Sequence, residues 1–428
     1  MGFIMNNMLK DKKLLILGAT PSEVELIKRA HEFGVYVIVT DNNTDRNISV
    51  AKNYADEAWD ISWSDLDALE RKCRLCGVDG VTAGWSEFRV ENTIKLCERL
   101  GLPCYCTMEQ LEVTRNKRIF KEECIFNGVP VVNEYKTPEE VTSFPVILKP
   151  VDRAGSIGIS VATNKEELDK AYAYAMDMSV CKDVIIEDYI TDAVKIDSYY
   201  VIMDGNIVLV STDDVINAKN NGTDKVIQSG WVLPSRRHAM YEEKVDPAVR
   251  KMIEHMGIKN GYIFFSGFAN DTGYFAMFEA GFRLCGGYLH SYFEKKGIVN
   301  NLDIFIFHAL TGSVKDVTWG GDKAPELKCA TVNLYAKSGT IAKIEGFDQV
   351  AEIENCDFVL QKAHIGEKCT DDKAILTKIG MYYFCDESAE ALDRSVEKAY
   401  EMINVLDENG EDMLFDRIDR GVVAKCWE

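Results

Sequence analysis

The chain has 428 residues, 46% hydrophobic and 28% charged, with a formal net charge of −20. That length exceeds one small core and predicts two to three domains of a soluble globular protein. The acidic balance repels nucleic-acid phosphates and anionic lipid and so excludes a nucleic-acid or membrane-surface role; any polyanionic ligand needs a local basic pocket. No apolar run reaches the roughly 18 to 20 residues of a membrane span. The 13 cysteines are odd in number and scattered, and the opening MGFIMNNMLK lacks a long apolar core. A cytoplasmic protein with reduced thiols is expected. Cys73 and Cys76 have metal or redox spacing, but they lie in a helical stretch with no second pair nearby.

Residues 1–104 alternate strand and helix. KLLIL (Lys13 to Leu17) is an apolar strand, Glu23 to Phe33 a helix stopped by Gly34, and VYVIVT (Val35 to Thr40) a second strand. Ala55 to Trp59 and Val78 to Ala83 are further strands, each followed by a helix; Ser64 is the expected cap of one, and Glu87 to Leu100 is the other. This series predicts a Rossmann-like α/β domain with a parallel sheet. Its strand-end loops hold Thr20, Asp41, Ser86 and Glu87, where such sheets bind ligands. Gly18-Ala19-Thr20 lacks the G-x-G-x-x-G spacing of a dinucleotide site.

Residues 105–312 read as a second unit, with a small, mobile lobe at about 142–213. Thr107 to Phe126 forms two helical pieces. FPVILKP (Phe144 to Pro150) is a strand ending in Lys149; Ile159 to Ala162 is the next, and Asn164 caps a helix from Lys165. VIIEDYI (Val184 to Ile190) follows. Asp204-Gly205 joins a hairpin of 196–203 and 206–211. Val215 to Gln228 reads as a polar loop, and Arg236, Arg237 and His238 as candidates to line a carboxylate pocket. Asp246 to Gly257 is a helix, Gly261 to Ala269 and Tyr274 to Ala280 a second hairpin, and Asn301 to Leu310 an apolar helix. Residues 313–428 carry short strands at 328–335, 340–345, 358–362 and 381–385, then a helix from Ser388, as a small C-terminal α+β domain.

The most informative stretch is Lys149-Pro150, the loop Ala154-Gly155-Ser156-Ile157-Gly158, and the strand closing on Glu187-Asp188-Tyr189-Ile190. A lysine at a strand end reaches an anionic phosphate. Gly155 and Gly158 let backbone N–H groups approach phosphate oxygens. A strand edge at 185–190 offers backbone groups to an adenine, with Ile185 and Ile190 on its faces. This points to nucleotide binding between two sheets.

The order of lysine strand, glycine loop, helix, acidic hinge and later Phe278-Glu279-Ala280-Gly281-Phe282-Arg283 resembles the ATP-grasp superfamily over nearly the whole chain. The resemblance implies an α/β ATP-grasp fold and an ATP-dependent ligase. Such enzymes phosphorylate a carboxylate and let an amine attack the acyl phosphate. It also implies Mg²⁺, or Mn²⁺, as cofactor, small-molecule acid and amine partners, and a possible homodimer. Lys117, Lys149 and Gly155, Ser156 and Ile157 would hold phosphates. Glu187, Asp188, Tyr189 and Ile190 would face adenine, Asp197 would fill the acidic position of a substrate-side polar triplet and count among the cofactor-binding residues, Glu279 would bind metal, and Arg283 would face the transferring phosphate or the substrate carboxylate.

Several positions depart from the pattern. Asn116 replaces an aspartate before Lys117, Ala193 stands where a ribose-binding glutamate is common, and Lys195 is atypical. A first metal carboxylate would fall at Gly267, or at Ser266 if the hairpin register slips by one, and an asparagine at Gly281. Either Glu279, ATP and water hold the metal, with help from an acid such as Asp197 or Asp214, or the chain binds nucleotide without turnover. Biotin carboxylase and carbamoyl phosphate synthetase share the layout, which leaves a bicarbonate-using enzyme as an alternative.

Overall fold

The N-terminal strands form a parallel sheet in the order Glu57–Trp59, Tyr36–Thr40, Lys13–Leu17, Gly80–Thr82. The structure is a computed structural model and describes residues 9–153, 157–219, 227–318, 327–370 and 377–428. Leu14, Leu15, Ile16 and Leu17 are all buried, because helices cover both faces of this sheet. The helix Leu66–Cys76 is capped by Asp65, which accepts from the Ala68 N–H at 3.0 Å, rather than by the expected Ser64. A carboxylate one residue before the helix reaches the free N–H groups of the first turn, which Ser64 is too far back to do.

A four-stranded antiparallel sheet follows in the order Glu134–Tyr135, Val184–Asp188, Val146–Pro150, Ser160–Ala162. The helix Lys165–Met178 packs on it through Leu168, Ala171 and Ala175, against Val146, Leu148, Ala162 and Ile186. This lobe ends near residue 188. The strands Val194–Met203 and Asn206–Thr212, read as part of it, instead join Gly261–Ala269 and Phe275–Gly281 in a second antiparallel sheet. Pairing of Val194–Met203 along the full length of Gly261–Ala269 buries Ile196, Tyr200 and Ile202 in the larger core.

A five-stranded sheet runs Asp214–Asn217, Gln228–Leu233, Lys328–Tyr335, Lys378–Asp386, Cys356–Gln361. It crosses the boundary read at residue 312, since Gln228–Leu233 is hydrogen-bonded to Lys328–Tyr335. The expected polar loop at 215–228 begins and ends as strand because Ile216, Val232 and Leu233 are buried; residues 220–226 lie outside the described residues. The helix Ala389–Met402 covers one face of the sheet through Leu392, Val396 and Ala399. Two short helices, His238–Lys244 and His290–Lys295, occupy stretches read without structure.

Candidate active site

Lys149 ends its strand beside Glu187 on the neighbouring one, and its Nζ donates to Glu187 Oε2 at 2.6 Å. Lys121, one turn after Lys117 on the helix Lys117–Asn127, donates to Glu187 Oε1 at 2.6 Å and lies 3.1 Å from Glu134. Burial pushes the Glu187 carboxyl up, but the two ammonium groups, Lys149 before Lys121, outweigh it and hold the acid below its ordinary value. Phe278 lies beneath Lys149, with its ring centroid 5.6 Å from Nζ. With Ile185, Phe120 and Met277 these groups line a slot of about 10 Å³, roughly the room of one water. Both Glu187 oxygens thus meet lysines, where the sequence places this acid opposite an adenine amine.

Beyond the slot, the Asp188 N–H donates to Asn133 O at 3.1 Å and the Tyr189 N–H to Pro145 O at 3.0 Å, while Tyr135 OH donates to the Asp188 carboxylate at 2.8 Å. Ile190 is half-buried at the end of this hinge. Of the glycine loop, Gly155 and Ser156 lie outside the described residues, and Ile157 is exposed. Gly158 has φ +77°, and a Cβ there would lie 2.6 Å from Pro150 Cγ, so the turn out of the loop requires glycine.

Lys117 opens the second, wider space. Asn116 caps its helix by accepting from the Arg118 and Ile119 N–H groups, which is the backbone work an aspartate there would do. The Lys117 ammonium donates to Arg153 O at 2.5 Å. Burial pushes its pKa down, and Glu279 pulls against that. Lys117, Glu279, Arg283, Asp152, Glu87 and Phe88 line a cleft of about 650 Å³. Glu87 comes from the N-terminal domain, at the start of the helix Glu87–Leu100, and its Oε1 stands 3.4 Å from Arg283 Nε. Of the other strand-end residues, Thr20 closes a capping box with Glu23 and Asp41 binds the Asn43 N–H.

The hairpin resolves the metal-ligand positions. Its register shifts by one between Ser266 and Gly267, so Ser266 pairs with Glu279 and Gly267 with Met277. A Cβ on Gly267 would lie 2.4 Å from Met277 Cε, and one on Gly281 would lie 2.4 Å from Phe264 Cζ. Side chains of this hairpin therefore fill both glycine positions. Phe264 in turn carries the Arg283 guanidinium, 5.3 Å above its ring. On the far side, Ser266 also pairs with Asp197. Asp197 is bound to Lys195 at 3.0 Å, and its Oδ1 is buried without a partner. Asp213 accepts the Asp197 N–H at 2.8 Å and Tyr199 OH at 2.5 Å. Among the described residues no three His, Cys, Asp or Glu side chains are grouped to hold a metal ion.

Residues 142–290 match the family model of the ATP-grasp domain. The chain carries an ATP-grasp domain there. It is 26% identical over 190 residues to formate-dependent phosphoribosylglycinamide formyltransferase of Prochlorococcus marinus, covering 42% of this chain and 48% of that one. It is also 26% identical over 256 residues to the 2-oxoglutarate carboxylase small subunit of Hydrogenobacter thermophilus, covering 53% of each. The chain thus spans about half the length of these curated relatives. Its ATP-grasp fold matches the L-amino acid ligase of Bacillus licheniformis with a TM-score of 0.73 at 18% identity, covering 94% of this chain and 100% of that one. It matches the biotin carboxylase domain of the Hydrogenobacter enzyme, solved as a dimer with MgADP and bicarbonate, with a TM-score of 0.73 at 19% identity, covering 94% and 91%.

Sequence reasoning missed Lys121 and Phe264. The first had a signal, because Lys117 and Lys121 stand four apart and share one helix face. The second had none, since only the hairpin register places Phe264 opposite Gly281. Arg236 and Arg237 do not line a carboxylate pocket. Arg237 is buried against Asp214 at 2.7 Å and Asp271 at 2.8 Å, and Arg236 also pairs with Asp271.

Proposed function

We propose that this ATP-grasp protein is a ligase that uses ATP to activate a carboxylate as an acyl phosphate for attack by an amine. The carrying observation is the convergence of Lys117, Glu279 and Arg283 on one cleft of about 650 Å³, walled on one side by Glu87 and Phe88 of the N-terminal domain. A carboxylate is a poor electrophile. Its oxygen attacks the terminal phosphorus of ATP and ADP leaves; the amine then attacks the acyl carbon and phosphate leaves. The protein's part is positioning and charge neutralisation.

In this reading adenine lies against the strand edge at 185–190, which requires the slot between Ile185 and Met277 to widen and the Lys149–Glu187 contact to part. The freed Lys149 then turns with Lys117 to the phosphates. Arg283, fixed on Phe264 and by Glu87, faces the transferring phosphoryl group and the acid. The donor set fits Mg²⁺ or Mn²⁺ held by Glu279, nucleotide phosphates and water, because Mg²⁺ keeps several waters and needs few protein ligands. Bound there, the ion would neutralise phosphate charge as the terminal phosphoryl group transfers.

A nucleotide-binding protein without turnover is the second reading, favoured by Ser266 and Gly281 at two family ligand positions. The test is ADP release from ATP in the presence of paired acids and amines, and separately with bicarbonate. Release that needs both an acid and an amine supports the ligase. Release with bicarbonate and no amine supports a carboxylase-like enzyme. Tight ATP binding with no release under any pairing overturns both in favour of the binder.

A further inference from the structure

Around the Cys285–Tyr288 turn three parts of the chain meet, with hydrogen-bond donors that lack acceptors among the described residues. Trp85, from the N-terminal domain, stacks near Tyr288 with ring centroids 5.1 Å apart. Trp231, from the five-stranded sheet, brings its ring edge to Gly287, where a Cβ would lie 3.4 Å from Trp231 Cζ2. Both indole N–H groups are buried without a hydrogen-bond partner. The third part supplies two lysines. Lys362 stands 5.9 Å from the Tyr288 ring centroid. Lys378 begins its strand at the same edge, and its ammonium lies 3.5 Å from Met381 Sδ, its one hydrogen-bond partner among the described residues.

Neither ammonium meets a carboxylate among the described residues. The acid that acts on Lys362, the buried Glu23, is already bound by Arg89 at 2.7 Å and by Thr20. Gly286 leaves open space, with no atom within 4 Å of the position of a Cβ. Burial and the neighbouring Lys362 push the Lys378 amine down to about 7, with Cys285 pulling against them, and burial and Arg89 push Lys362 down against Glu23. Two half-buried cations and two buried N–H donors around the Cys285–Tyr288 turn, with no carboxylate bound to either cation among the described residues, form a site short of negative charge.

We propose that Lys362 and Lys378, with the indole N–H groups of Trp85 and Trp231, bind an anionic group, a carboxylate or a phosphate, carried by a non-nucleotide substrate. The proposal rests on the ligase reading and narrows its substrate to one with a charged group besides the reacting carboxylate or amine. An anion here returns the lost charge to Lys378, so binding takes up a proton from solvent near neutral pH.

The test is calorimetric titration with succinate and with inorganic phosphate at neutral pH, in buffers of different ionisation enthalpy. The proteins are the wild type, Lys362→Met, Lys378→Met and Lys378→Arg, each checked for Mg-ATP binding. At least one probe is expected to bind the wild type with proton uptake and to bind each methionine variant about tenfold or more weakly. Lys378→Arg is expected to keep binding and lose the proton uptake, because arginine stays charged. Preference for succinate assigns a carboxylate, and preference for phosphate a phosphate. The proposal is overturned if neither probe binds up to tens of millimolar, or if binding is the same in the methionine variants while Mg-ATP binding is intact. Loss of Mg-ATP binding by the wild type would instead count against the ligase reading.

Discussion

Gly281 and Phe264 are fitted to each other across the hairpin: a Cβ at 281 would lie 2.4 Å from Phe264 Cζ. The same ring supports Arg283, which also stands 3.4 Å from Glu87. The position where the resemblance leads one to expect a metal-binding asparagine is here the space that seats the arginine's platform. Gly281→Ala should therefore displace the ring and loosen Arg283. The expected result is a stability loss of about 1–3 kcal/mol by urea unfolding and a fall in ADP release of about tenfold or more. A variant with wild-type turnover would detach Phe264 from the site.

Glu187 is held by two lysines in a nearly closed slot, its side chain 5% exposed and those of Lys121 and Lys149 8% and 12%. Glu187→Gln leaves the buried Lys149 ammonium without its acid and Lys121 with Glu134 alone, and should cost about 3–5 kcal/mol. The sign with pH follows from the depressed carboxyl. Its stabilisation is fully present above the ordinary glutamate value of 4.5 and is lost as pH falls through the lower folded value. Urea unfolding of wild type and variant should converge as pH drops below 4.5. A gap that persists undiminished well below 4.5, through the lowered folded value, would contradict this.

Arg236 and Arg283 separate a structural from a functional cation. Arg236→Ala removes an exposed pair with Asp271 and should leave ADP release within about twofold, as exposed pairs contribute little. Arg283→Lys loses the planar guanidinium stacked on Phe264 and should lower turnover by about a hundredfold with the fold intact. Steady-state rates on both variants decide it, and equal losses would sink the assignment.

Much of the fold was legible because local chemistry marks it. Asp204 and Gly205 both take positive φ at the predicted hairpin turn, and Asn164 caps the helix Lys165–Met178 where expected. Lys149 and Glu187 are each legible as the close of an apolar strand, but their contact with each other is not, since the sequence reading assigns them to phosphate and to adenine. What escaped depends on distant pairing. Ile216 looks like a member of a polar loop until Gln228–Leu233, itself paired with Lys328–Tyr335, supplies a strand for it. The bulge between Ser266 and Gly267 shifts which residue faces Glu279, and nothing nearby in the sequence encodes that slip. Lys362 and Lys378 are ordinary strand-end lysines until the fold buries them beside Tyr288 and Cys285.

The account's central claim is that the Lys117, Lys149 and Glu279 region takes Mg-ATP. The most direct measurement is calorimetric ATP binding with and without Mg²⁺ on the wild type and on Lys149→Ala. The predicted result is Mg²⁺-dependent binding to the wild type, weakened about tenfold or more in the variant. No binding at millimolar ATP, or binding indifferent to both Mg²⁺ and Lys149, would contradict it.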